Sequence, residues 1–313
     1  MLIRETETRE SGVTDRTTTG TPTSFSREVL DLFDSFVHGG ISRRGFIEKC
    51  AVHAGSIAAA TTMLSALSPD FARAQVIAPA DKRITVSSVE IPSAAASGKI
   101  RAYVAKPAGT SPHAHKPVVL VIHENRGLNP HIEDIARRLA VDGFIAVAPD
   151  ALTALGGYPG DEDKAREAFG KLDQTRIRAD FLAAAHYAEA LSDGNGKLGA
   201  VGFCYGGGMV NFLATKVPTL RAGVAFYGTP PELADVPAIK AEMLIQHAGN
   251  DARLVGLWPA YDEALTKAGI RHEGFVYPGV EHGFNNDTTP RFDKAAASLA
   301  WDRTIALFRR TLA

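Results

Sequence analysis

The sequence predicts an α/β fold, a mostly parallel sheet with helices on both faces. Two observations carry this expectation. From residue 84 onward, short strand-like apolar runs that end in turn residues alternate with longer stretches of helical periodicity. Parallel neighbours need a crossover between them, so this alternation covers both faces of the sheet with helices. In addition, no linker and no internal repeat interrupts the alternation, so one domain accounts for residues 75–313.

Taken in order, residues 84–90 and 99–105 read as an opening strand pair, 118–122 as the next strand and 132–141 as the first clear helix. Residues 153–162, with Gly156, Gly157 and Gly160, read as a mobile loop near a pocket. A helix over 176–192 leads to a short buried strand over 198–203 and a helix over 209–216. Strands over 244–248 and 275–277 then alternate with helices over 259–268 and 295–311.

The chemistry concentrates at Gly202-Phe203-Cys204-Tyr205-Gly206-Gly207, a cysteine between a strand and a helix with glycine two residues to each side. This is where α/β-hydrolases hold their nucleophile, on an elbow so sharp that a Cβ on either flank would strike the neighbouring backbone. Alone, the hexapeptide fits a small buried cysteine equally well. Two later strand ends shift the balance: 244–248 runs into Gly249-Asn250-Asp251, and 275–277 into Pro278-Gly279-Val280-Glu281-His282. Singly, Asp251 reads as a turn residue and His282 as a surface histidine. Together with Cys204 they give nucleophile, acid and histidine in the chain order of the α/β-hydrolase triad, each at the end of a strand.

From about residue 84 to the C-terminus the chain resembles the dienelactone hydrolase (carboxymethylenebutenolidase) family of cysteine α/β-hydrolases. The resemblance rests on the Cys204, Asp251 and His282 set, on His123-Glu124-Asn125-Arg126-Gly127-Leu128 after the 118–122 strand, and on Ala148-Pro149-Asp150 closing the next strand. It implies that Glu124 modulates the thiol, accepting its proton when substrate arrives and keeping the resting cysteine neutral. The plainer reading of Glu124 is a carboxylate paired with Arg126. The chain departs from the family where two arginines hold a substrate carboxylate: the corresponding stretches read Ala151-Leu152-Thr153-Ala154 and Phe284-Asn285-Asn286-Asp287. Arg126 or Arg291 is the replacement cation the sequence offers. Arg126, Tyr158 and Phe284 are the candidate substrate contacts, with Trp258 a further aromatic that lines the pocket or packs in the core.

The expected roles follow from chemistry. Cys204 attacks an ester or lactone carbonyl as thiolate, His282 promotes ionisation and later activates water, and Asp251 fixes the imidazole tautomer. The backbone N–H groups of Tyr205 and Asn125 are the expected oxyanion hole. No cofactor or metal is called for. Two other readings stay open: a binding or redox-sensing protein on the same fold, and an acyltransferase.

Composition is that of a globular chain, with 313 residues, 45% hydrophobic and 22% charged, and the part after residue 74 is formally neutral. No basic stripe points to nucleic acid. Residues 1–40 read as a polar extension, disordered over 6–24, with a short amphipathic helix over 27–37. Residues 41–74 read as an export signal: Ser42-Arg43-Arg44-Gly45-Phe46-Ile47-Glu48-Lys49 resembles the twin-arginine motif and precedes a weakly apolar run over 51–67 and the small-residue site Ala72-Arg73-Ala74. The expected destination is the periplasm or the exterior, by way of the twin-arginine machinery. His53 and several Ser, Thr and Gly residues make the apolar run a poor membrane span. Cleavage after Ala74 would remove Cys50 and leave Cys204 as the single thiol.

Three motifs fail on context. Gly194-Asn195-Gly196-Lys197-Leu198-Gly199 matches a dinucleotide pattern but precedes a strand. His113 and His115 lack further ligands at metal spacing, and Asn286-Asp287-Thr288 carries no glycosylation message in a bacterial export context.

Overall fold

The computed structural model describes residues 25–71, 75–109 and 115–313. The expected disorder over 6–24, the cleavage site at 72–74 and His113 lie outside the described residues.

Three helices come first: α1 (Arg27–Val37), α2 (Arg43–Ala54) and α3 (Ile57–Leu67). Each begins at a serine, Ser26, Ser42 and Ser56, whose hydroxyl accepts a first-turn N–H that no helix carbonyl can reach. Gly55 in the left-handed region ends α2, and α3 leaves at 111° to it. The three helices bury their own apolar cluster, with Phe33, Phe36 and Phe46 in mutual ring contact and Cys50, Leu64 and Leu67 beside them. Among the described residues no single helix is long and apolar enough to cross a membrane; the bent α2 and α3 pair meets the length and composition only together.

The sheet has eight strands: β1 (Ile84–Ser93), β2 (Gly98–Pro107), β3 (Lys116–Ile122), β4 (Ile145–Asp150), β5 (Gly194–Phe203), β6 (Leu220–Phe226), β7 (Glu242–Ala248) and β8 (His272–Tyr277). Their spatial order is β1-β2-β4-β3-β5-β6-β7-β8. The β1 and β2 hairpin joins antiparallel at one edge, and every pairing from β4 to β8 is parallel. The central strands are buried on both faces over most of their length, which is why they read as apolar runs.

The crossovers are α4 (Pro130–Val141), α5 (Glu162–Gly170), α6 (Gln174–Glu189), α7 (Tyr205–Lys216) and α8 (Ala252–Lys267), and α9 (Lys294–Leu312) closes the chain. They divide into two apolar layers, with Phe181, Val210 and Tyr261 on one side of the sheet and Ile135, Phe144 and Phe308 on the other.

Three expectations need correction. The helix expected to begin at Pro259 begins at Ala252 and carries Pro259 inside, because the Asp251 carboxylate caps the Leu254 N–H at 3.1 Å and fixes the start about two turns earlier. Strand β6 and helix α5 were not anticipated. The glycine-rich stretch after β4 is tied down: the Asp150 carboxylate accepts from the N–H groups of Leu128, Leu152 and Tyr158 at 3.2, 3.0 and 3.3 Å, and a 3₁₀ turn spans Ala151–Leu155.

Candidate active site

The parallel strands all end on one side, and their C-terminal loops bring distant residues together there, the usual place for ligands in an open α/β sheet. Cys204 stands between β5 and α7 with φ 55 and ψ −113, a strained conformation for a side chain. What enforces it is crowding. A Cβ at Gly202 would sit 2.1 Å from the Gly206 carbonyl oxygen, and one at Gly206 2.2 Å from that of Ile122, so only glycine lets β5, α7 and β3 approach this closely.

Opposite the thiol, His282 Nδ1 lies 2.7 Å from Asp251 Oδ2, while the other oxygen of Asp251 caps α8. One carboxylate thus orients the imidazole and starts a helix. Both groups are buried, and His282 Nε2 has no hydrogen-bond partner among the described residues. The Nδ1–H to carboxylate bond leaves Nε2 as the nitrogen available for proton transfer.

A second histidine reaches the same sulfur. His38, at the C-terminus of α1, places Nε2 3.4 Å from Cys204 Sγ, and its ring meets that of His282 edge-on at 4.7 Å. The sulfur and one nitrogen of each ring lie within 4.8 Å of one another. His38 Nδ1 donates to the Asp34 carbonyl at 2.8 Å and lies 3.3 Å from the Asp34 carboxylate. Burial alone would push the thiol up, but the two imidazoles overcome it and bring Cys204 down to about 6. Burial likewise opposes charge on His38, and the hydrogen bond to Asp34 with the thiolate beside it raises the ring to about 10. Both shifts run toward a thiolate and imidazolium pair, whereas the resemblance implies a cysteine kept neutral at rest through Glu124.

Glu124 itself is buried and accepts from Asn286 Nδ2 at 3.3 Å. Burial would raise its carboxyl, but Arg126, His131 and Arg291 hold it below the ordinary range. It does not line the cavity over Cys204, and neither do the three candidate substrate contacts. Arg126 is buried against Glu162 at 2.9 Å. The Tyr158 hydroxyl donates to Glu162 at 2.9 Å. Phe284 is fully buried among Tyr227, Phe226 and Tyr277. Arg126 and Tyr158 are held by the same Glu162 carboxylate and Phe284 lies in the core, so none of the three faces the cavity. Arg291 pairs with Asp34 at 3.6 Å, and Trp258 packs over Gly274 and His247.

The cavity holds about 640 Å³ and is bounded by Cys204, His282, Tyr227, Phe169, Arg166 and Arg253, with the last turn of α1 and the His38-Gly39-Gly40 turn after it forming one wall. Tyr205 and Asn125, named for their N–H groups, border it as well. Sequence reasoning missed His38, Asp34, Tyr227, Arg166 and Arg253. For His38 the one available signal was its place at the end of the amphipathic 27–37 helix, a segment read as a prelude to export.

Comparison with known proteins agrees with this architecture. The family model described as "Dienelactone hydrolase family" matches residues 100–312. The chain belongs to the dienelactone hydrolase family. A protein of Synechocystis assigned as a carboxymethylenebutenolidase is 33% identical over 235 residues, covering 68% of this chain and 93% of that one. One from Saccharolobus solfataricus is 32% identical over 248 residues, covering 68% and 94%. The crystal structure of a protein assigned as a dienelactone hydrolase from Klebsiella pneumoniae superposes with a TM-score of 0.65 at 28% identity, covering 72% of this chain and 99% of that one. A separate model, described as YqhI-like, matches residues 17–55, the stretch that contains α1 and α2. The dienelactone hydrolase match thus begins after the helices that bring His38 to the thiol.

Proposed function

We propose that this dienelactone hydrolase family member cleaves a small carboxylic ester or lactone by attack of the Cys204 thiolate, with His282 and Asp251 as the proton-transfer pair. The observation that carries this is a thiol on a strained elbow, pulled down to about 6, beside a buried histidine whose far nitrogen is held by a carboxylate at 2.7 Å. Sulfur adds to the carbonyl carbon and the ester C–O bond breaks, leaving a thioester. Water then attacks as His282 Nε2 takes its proton, and the thiolate departs. The Tyr205 N–H, an orphan donor at the first turn of α7, and the Asn125 N–H are the proposed stabilisers of the oxyanion, aided by the positive end of the helix.

The substrate class follows from the cavity. Tyr227, Tyr205 and Phe169 suit an apolar or aromatic body, while Arg253 offers a cation where the family's two arginines are missing from the sequence. A carboxylate-bearing lactone or ester of modest size fits this lining. The twin-arginine motif and the apolar run after it support export as a further proposal, which cell fractionation tests.

The full-length chain and Cys204→Ala are to be compared for p-nitrophenol release from p-nitrophenyl acetate, with circular dichroism verifying the fold. Turnover that vanishes in the folded variant is the expected result. Equal rates in the two proteins would remove Cys204 from the mechanism and favour a binding protein.

A further inference from the structure

Among the described residues, His38 is the side chain outside the triad that hydrogen-bonds to the nucleophile. Its position is held from several directions. The last carbonyls of α1, which no helix N–H can satisfy, accept from the catalytic domain: Val37 from Asn125 Nδ2 at 2.6 Å and Phe36 from Arg166 Nη1 at 2.7 Å. At the other end of α1, Arg27 forks onto the Glu281 carboxylate at 3.0 and 3.1 Å and donates to the Asn250 carbonyl at 2.9 Å, beside both His282 and Asp251. The Arg166 guanidinium covers the Phe36 ring at 3.7 Å, and that of Arg291 lies 5.1 Å from Phe33. With Nδ1 committed to the Asp34 carbonyl, Nε2 is the nitrogen that meets the thiol. Cys204 remains half-buried and open to the cavity with the helix in place, so α1 is a wall of the site and not a plug.

We propose that His38, carried in by α1, is a second catalytic histidine of this active site, holding Cys204 as thiolate and giving the leaving group its proton. The proposal rests on the thiol-hydrolase reading above. At rest the thiol proton resides on His38 Nε2. Attack forms the C–S bond and breaks the C–O bond, and the departing alkoxide takes the His38 proton to leave as the alcohol. His282, in its neutral form, then accepts the proton of the attacking water as the C–S bond breaks. Of the two protons now on His282 and the new carboxyl group, one returns to His38 and the other passes to solvent. Two histidines divide what a single one performs in an ordinary triad. The charged groups around His38 are Asp34 on its own helix, Cys204 at the elbow, His282 and Arg291 after β8, Arg166 on α5 and Arg253 on α8.

The test uses the full-length chain, His38→Ala, His38→Gln and Asp34→Asn, each verified as folded by thermal denaturation. Nitrophenolate leaves without protonation whereas an alkoxide does not, so loss of an acid should be selective. His38→Ala is expected to lose roughly 10²-fold or more on an ethyl ester and clearly less on the matching p-nitrophenyl ester, where only the lost thiolate fraction, about tenfold per unit of midpoint shift, is felt, with Asp34→Asn between. The midpoint of Cys204 alkylation by iodoacetamide against pH should move upward by about one unit or more in His38→Ala and His38→Gln. An unchanged alkylation midpoint, or equal loss on both esters, would overturn the proposal. If the wild type turned over neither ester, the hydrolase mechanism would fall, and the alkylation profile would still decide whether His38 holds the thiolate. A chain cleaved after Ala74 lacks His38 and should behave as His38→Ala.

Discussion

Cys204 and His38 exchange their ordinary protonation order. In the folded chain the thiol, ordinarily near 9.0, titrates near 6, and the imidazole, ordinarily near 6.5, titrates near 10. Between about pH 6.5 and 9 the folded pair holds one proton, on His38, and the unfolded pair also holds one, on sulfur. Folding therefore takes up no proton through this pair in that window, and the pair contributes no slope to stability there. Above pH 9 the unfolded chain loses its thiol proton while the folded pair keeps its own, so stability falls as pH rises toward 10. Alkylation behaves differently, because it follows the thiolate: the rate should climb through pH 6 and stay level to about 9. Measuring iodoacetamide rates and Tm on the same samples tests both. A wild-type alkylation midpoint near 9 would show that the imidazoles do not hold the thiolate. Asp251 carries a separate consequence, since its two oxygens serve different masters. Asp251→Ala should cost about 1 kcal/mol through the lost α8 cap and reduce kcat by about 10⁴ through the unfixed imidazole tautomer. Retained kcat with lowered Tm would leave Asp251 a cap alone.

Among the elements, the turn from β5 into α7 tolerates little, because backbone closes on it from two sides. A methyl at position 206 meets the Ile122 carbonyl at 2.2 Å and that of His123 at 2.7 Å, both backbone atoms of a central strand or its end, which no rotamer change can move aside. Gly206→Ala should destabilise by about 3 kcal/mol or more, seen as a lowered urea midpoint along with lost activity. A variant of native stability would show that the elbow is looser than its contacts imply. The same rigidity made this part of the chain legible. Glycines that admit no Cβ, strands buried on both faces and loops that follow strand ends all leave marks at fixed spacing, and Cys204, Asp251 and His282 converge where their order placed them. The marks fade where partners come from afar. Nothing local distinguishes Arg166 or Arg253 from surface arginines, since only the packing of α5 and α8 turns them toward the cavity. Tyr158 and Phe284 read as pocket aromatics because they neighbour the site in sequence, yet Tyr158 bonds to Glu162 and Phe284 fills the core beneath Tyr227.

At the scale of the whole molecule, two separately packed bodies share one active site. Helices α1 to α3 have an apolar cluster of their own, and their hold on the sheet domain is mostly polar, through Arg27 and Glu281, Arg43 and Asp163, Arg166 and the α1 carbonyls, and the Asp70 N–H on the Thr288 carbonyl at 2.7 Å. An arrangement of this kind predicts that the helices can open while the sheet stays folded, since exposed ion pairs add little stability and the main apolar layers lie elsewhere. Phe46 is the place to force the opening. It is fully buried, contacts Phe33 and Phe36, and lies on α2, away from the thiol, so Phe46→Ala removes about 3–5 kcal/mol from the helical cluster without touching the triad. Amide exchange should then quicken over residues 27–67 and stay slow in β5, β6 and β7. With His38 no longer held against the sulfur, the alkylation midpoint should rise toward that of His38→Ala. Quickened exchange with an unshifted midpoint would mean that His38 stays docked by its carbonyl and arginine contacts alone. Exchange that quickened equally in β5, β6 and β7 would mean that the helices and the sheet domain unfold as one unit.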